Sequence, residues 1–132
     1  MKLYKNTLVY IISVILIFSF VFITTFSFDR MIENDIRKMW RQVEAIREDL
    51  NGQNEQLPQS CERLRAIWHK HMDHWSFCLD HGMIKEVDLT VSLFLQCAED
   101  GLKESAELEA VKLKRLFEVV RTNDKLVPLN IF

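Results

Sequence analysis

The spacing of apolar positions changes at Asp29. Before it, residues 8–28 read LVYIISVILIFSFVFITTFSF, with no charged residue, no Pro and no Gly. As a helix this run is roughly 30 Å long, which matches the hydrocarbon core of a bilayer. Its apolar side chains lie all round and not on one stripe, as lipid requires. The start is short and basic, with Lys2 and Lys5. The run exceeds the ~7–15 apolar residues of a cleaved signal peptide, and no small-x-small cleavage pattern follows it. The pattern predicts an uncleaved single-pass transmembrane helix over 8–28, after a short basic tail over 1–7.

From Asp29 onward the apolar residues fall on helical stripes. Ile32, Ile36, Met39, Val43, Ile46 and Leu50 are spaced four and three in strict alternation, a heptad seam. No Gly or Pro separates this seam from the span, so the two can form one helix. Asn51-Gly52 is the expected stop, with Gly just past the helix end. A polar loop follows as far as Pro58. A second stripe holds Cys61, Leu64, Trp68, His71, Trp75 and Cys78, closed by His81-Gly82. A third holds Ile84, Val87, Val91, Phe94 and Ala98, closed by Asp100-Gly101. A fourth holds Ala106, Ala110, Leu113, Phe117 and Val120. The links are short, which implies folded-back neighbours. The predicted fold is all-α, with helices at about 29–50, 59–81, 84–100 and 103–123 forming one helical domain over 29–132.

Residues 126–132 read LVPLNIF. Pro128 argues against continued helix. A free apolar tail is costly in water, so an extended tail docked in a groove of the bundle is expected, anchored by Phe132 or Ile131. The alternative is a peptide offered to a partner. Trp68 and Trp75, seven residues apart, are expected side by side in the core.

Charge adds little. All nineteen acidic residues and fifteen of the seventeen basic ones follow the span, mixed along the chain. No basic stripe interleaved with aromatics marks a nucleic-acid surface. The Lys and Arg count slightly favours a cytoplasmic domain, but the short basic start favours a signal anchor with its tail inside. The larger domain is accordingly placed outside the cell membrane.

The second helix carries the only constellation with chemical appeal. His71, His74 and Cys78 share a face, a spacing able to place imidazole and thiolate on one metal ion. His69 and Asp73 form another pair on a different face. A metal or haem site would need further ligands from another segment, and no companion motif supplies them. His71 also lies on the stripe of Trp68 and Trp75, where a core-edge histidine is the simpler reading. Cys61, Cys78 and Cys97 lie on apolar faces and read as small buried hydrophobes, with one disulfide conceivable in an oxidising compartment. Asp80-His81 reads as a helix-terminal feature, since no nucleophile or oxyanion donor accompanies it.

The basic start and span, Trp68 and Trp75, Leu79-Asp80-His81 with Ile84, the linker around Asp100, the Leu113-Lys114-x-Leu116 region and the final Leu129-Asn130-Ile131-Phe132 together resemble the domain of unknown function 4363 family. That family comprises small single-span proteins of Gram-positive, often spore-forming bacteria. Its pattern usually has Glu after Asp-His, where this chain has Gly82 and Met83. The resemblance implies a bacterial membrane-anchored helical domain, and no activity. The expected function is a non-enzymatic interaction or structural protein at the cell envelope, with a role in sporulation conceivable. It would contact the lipid bilayer and a protein partner or a second copy of itself, without cofactor. The alternative is a metal-binding or metal-responsive membrane protein using the second helix.

Overall fold

The computed structural model describes the backbone of residues 2–130 and the side chains of residues 2–122. Four helices follow in order: α1 (Lys2–Gly52), α2 (Leu57–Trp75), α3 (His81–Glu99) and α4 (Lys103–Asn130), with no strand among the described residues. The apolar run and the heptad seam form one unbroken helix of 51 residues. From the end of the apolar run, α1 ascends, α2 returns, α3 ascends and α4 returns. α1 packs on α2 and α4, α3 packs on the same two, and α1 barely touches α3. This is an up-down-up-down four-helix bundle with α1 and α3 on the diagonal.

The stripes meet in one core. All six seam positions of α1 are buried, as are Cys61, Leu64, Trp68, His71 and Trp75 of α2. So are the five stripe positions of α3 and the five of α4. The rings of Trp68 and Trp75 meet edge to face, with centroids 5.4 Å apart, and Trp75 meets Phe117 of α4 at 6.3 Å. Such contacts add to the area that three large rings bury.

α1 and α4 run antiparallel in a constant register. Glu33 pairs with Arg121 at 3.1 Å, Lys114 lies over the Trp40 ring at 5.8 Å, and Arg47 grips Glu107 through two bonds of 2.7 and 2.6 Å. Each step is seven residues on both helices, so the two axes keep pace over four turns. Arg65 of α2 likewise reaches Glu99 of α3 at 2.8 Å.

The ends differ from the sequence expectation in three places. Gly52 is the last residue of α1, and Gln53 takes the left-handed conformation at φ 49. Gln53 N–H donates to the Leu50 carbonyl and Asn54 N–H to that of Asp49, which satisfies the helix's last acceptors. The α3–α4 turn uses the same pair of bonds, with Gly101 at φ 74. There glycine occupies the position that favours it. α2 stops at Trp75, not at His81. A turn over residues 76–80 follows, in which Cys78 and Leu79 N–H donate to the Trp75 carbonyl, and His81 opens α3. Asp80 is the residue that precedes α3, with extended φ and ψ.

The fourth difference is the tail. α4 continues to Asn130, so the extended path expected from Leu126 does not hold that far. Pro128 deletes a single N–H, and near a helix end that loss interrupts one bond of the ladder without ending it. Ile131 and Phe132, the expected anchors, lie outside the described residues.

Two outcomes follow from this packing. Trp75→Ala should lower the stability of the full chain in lipid nanodiscs by about 3–5 kcal/mol, read from the denaturation midpoint. An unchanged midpoint would show that the ring is not part of the core. Gln53→Gly should raise stability by about 0.5–1 kcal/mol, because glycine occupies the left-handed region without steric cost. A loss instead would mean that Gln53 is held there by contacts of its side chain.

Candidate functional site

The α1 seam carries one carboxylate into the core. Asp35 follows Ile32 by one turn and precedes Ile36, so it sits at the edge of the buried stripe. It is only 6% exposed. Trp75 Nε1 donates to Asp35 Oδ2 at 3.1 Å, and His71 Nδ1 lies 3.3 Å from Asp35 Oδ1. The His71 contact is close but not aligned as a hydrogen bond, and neither imidazole nitrogen has a partner among the described residues. Burial holds the His71 imidazole below its usual pKa. The Asp35 carboxylate opposes that effect, while Lys38, His74 and Lys70 reinforce it. One turn of α2 separates His71 from Trp75, so both reach the same carboxylate.

This arrangement is a buried acid beside a neutral base, with an indole fixing the acid's position. It has no nucleophile. Cys61 is fully buried, and burial pushes its thiol up to about 11, so the thiolate is scarce at neutral pH. Trp68 points its own indole N–H elsewhere, to Asp88 Oδ1 of α3 at 2.8 Å.

The metal-ligand candidates do not converge. His71 is turned into the core at Asp35, and His74 is exposed. Cys78 lies past the end of α2, with Sγ 3.9 Å from the His74 carbonyl oxygen. Among the described residues no group of three or more His, Cys, Asp or Glu is placed to hold a metal ion. The shared face assumed α2 to run on through Cys78, and the stop at Trp75 removes that geometry. His69 and His81 are exposed, and none of Cys61, Cys78 and Cys97 is in a disulfide.

A surface cleft of about 240 Å³ lies between α1 and α4. Trp40 and Phe117 line it beside Arg37, Arg41, Lys114 and Arg121. Glu33 answers two of these cations, Arg37 at 3.6 Å and Arg121 at 3.1 Å. Glu118 also lines the cleft, so its walls are aromatic and of mixed charge with cations in excess.

Sequence reasoning missed Asp35 and Trp40. An aspartate beside a heptad seam reads as a solvated flank, and its partners lie on another helix with no fixed sequence offset. Trp40 follows Met39 directly and so falls off the seam. Its one available signal was its size, since a Trp beside a seam extends the apolar face.

The state of His71 has a readable consequence. Its folded pKa lies below the unfolded value of about 6.5, so the unfolded chain takes up the proton more readily. Stability is therefore fully present above about pH 6.5 and falls as pH drops through that value. His71→Gln should flatten this slope between about pH 6.5 and 5 in the full chain in nanodiscs. An equal slope in the variant would assign the acid sensitivity to other groups.

The chain matches no family model, no curated protein and no solved structure.

Proposed function

We propose that the chain is a membrane-anchored helical protein of the bacterial cell envelope that works by binding another protein or a second copy of itself. It is not an enzyme on this reading. The observation that carries it is the single helix α1. Over residues 8–28 it is apolar and exposed all round apart from the half-buried Thr24 and Thr25, and over residues 32–50 it is one wall of a filled core. By length and composition it is long and apolar enough to cross a membrane. The resemblance to the 4363 family supports the same reading, including a place in spore-forming bacteria. The larger domain lies outside the cytoplasmic membrane in this proposal, with Lys2 and Lys5 inside.

The bundle also shows surfaces that a closed domain does not need. Leu89 and Leu93 of α3 and Leu108 and Val119 of α4 are exposed. Leu89, Leu116 and Val119 line a shallow groove between the two helices. Exposed apolar patches of this kind mark interaction surfaces. The metal-binding alternative has no converging ligands among the described residues to support it.

The anchor and the binding surface are tested together in native membranes. The chain should resist carbonate extraction and keep its N-terminal residues by mass spectrometry. Release of a soluble chain beginning near Asp29 would remove the anchor. Crosslinking in the same membranes should give a discrete adduct that is lost in Leu89→Lys with the fold intact. A monomer under all conditions would remove the interaction role.

A further inference from the structure

The outward face shared by α3 and α4 is apolar along its middle and balanced in charge at its edges. Leu89 and Thr90 of α3 and Leu116 and Val119 of α4 line one groove, with Glu86, Lys112 and Arg115 beside them. Leu89, Leu93, Leu108 and Val119 are exposed, while the core beneath is filled by Val91, Phe94, Leu113 and Phe117. Apolar surface that the core does not use marks an interaction site. The charges around it cancel: Lys85, Lys112 and Arg115 against Glu86, Glu109 and Glu118. Lys112 pairs with Glu109 at 3.1 Å. The other four make no ion pair among the described residues.

The four lie where a two-fold axis sets opposite signs together. Two copies anchored in one bilayer by α1 stand the same way up, so a two-fold axis relating them runs along the bundle. About that axis, α3 of each copy faces α4 of the other with heights unchanged. Leu89 and Leu116 share one groove and so stand at one height. α3 rises and α4 descends, so Lys85 is one turn below Leu89 and Glu118 half a turn below Leu116. Lys85 and Glu118 are then within about 3 Å of the same height. Lys85, three residues before Asp88, is at the α2 edge of α3, where Asp88 reaches Trp68. Glu118 is at the α1 edge of α4, where it lines the cleft beside Trp40. The two-fold operation lays these two edges side by side, Lys85 against Glu118 of the other copy. It also brings Arg115 over the other copy's Glu86, about one turn lower. Each pair occurs twice.

We propose that the α3–α4 face binds a second copy of this chain in a parallel dimer with its two-fold axis along the bundle. The proposal rests on the interaction role and membrane span given above, and it names the partner. Leu89 and Leu93 of one copy pack on Leu116, Val119 and Leu108 of the other, and the charged pairs at the edges fix the register. A neutral, self-matching edge admits a copy that an edge of one sign would repel. The anchors hold both copies in one plane and one orientation, so a patch of this modest size suffices for association.

The full chain is reconstituted in vesicles of phosphatidylcholine and phosphatidylglycerol, and energy transfer is measured between copies labelled at the N-terminus with donor or acceptor. The native chain should show transfer that an excess of unlabelled chain abolishes. Lys85→Glu alone and Glu118→Lys alone should each need about tenfold more chain per lipid for half-maximal transfer, because like charges then meet at both edges. Donor-labelled Lys85→Glu mixed with acceptor-labelled Glu118→Lys should return to the native value, since every edge then joins opposite charges. Recovery in the mixture also shows that both variants are folded. Weakening in both variants without recovery in the mixture would overturn the proposed pairing, as would transfer that neither variant changes. No transfer in the native chain would overturn the dimer. With no transfer here, a crosslinked adduct to another protein in native membranes would leave the interaction role standing, and no adduct there would remove it too.

Discussion

One helix with two kinds of surface sets the rest of this structure. α1 exposes apolar side chains nearly all round over residues 8–28 and turns a single seam to protein from Ile32 to Leu50. No Gly or Pro interrupts it, so the lower part fixes the axis on which the upper part is built. The other three helices complete a core around that seam. The seven-residue steps linking Glu33, Trp40 and Arg47 to Arg121, Lys114 and Glu107 show how closely α4 follows the axis. The exposed ion pairs contribute little energy each. Their value is as markers of register, and the buried seam supplies the stability.

The buried Asp35 makes that register specific. A hydrophobic seam tolerates a slip of one turn with modest loss, because Ile, Met and Val are nearly interchangeable as packing units. A carboxylate facing an indole N–H does not. Moving α2 by one turn would leave Asp35 and Trp75 both buried and unpaired, at a cost of several kcal/mol on the order of that for a broken buried pair. His71 is placed where it feels the same carboxylate without forming an aligned bond to it. The cluster thus ties α1 to the end of α2, at the level where the bundle meets the base of the helix.

Much of the fold was legible because its signals are local. The heptad run Ile32–Leu50, the stripes through Trp68 and Trp75, and the glycine at Gly101 are each set by spacing within one segment. The errors came where the outcome depends on something outside the segment. α2 was read on to His81 because Cys78 and Leu79 continue the apolar pattern, yet the chain turns after Trp75 so that α3 can pack against α2. Gly52 looked like the terminal glycine, but the helix runs one residue further and the left-handed position passes to Gln53. Pro128 looked decisive and removes only one bond. Asp35 was invisible because its meaning lies in Trp75, forty residues away. The metal-ligand candidates His71, His74 and Cys78 part for the same reason: their shared face needed α2 to run past Trp75.

The polar residues drawn toward the interior have a shared use among the described residues. Those drawn into the interior are used to position helices: Asp35 for Trp75, Ser60 for Asp49 at 2.5 Å, and Gln42 for the Ser60 carbonyl at 2.9 Å. Asp88 does the same for Trp68 at the core's edge. What remains for function is the outside, and it is not uniform. The turns at both ends are satisfied by their own backbone bonds, and each exposes one large apolar side chain, Phe77 at one end and Leu102 at the other. The sides carry the leucines of α3 and the cleft beside Trp40. Apolar surface on the sides of a bundle whose core is already filled adds nothing to that core, so it is there that the sequence departs from what folding alone requires.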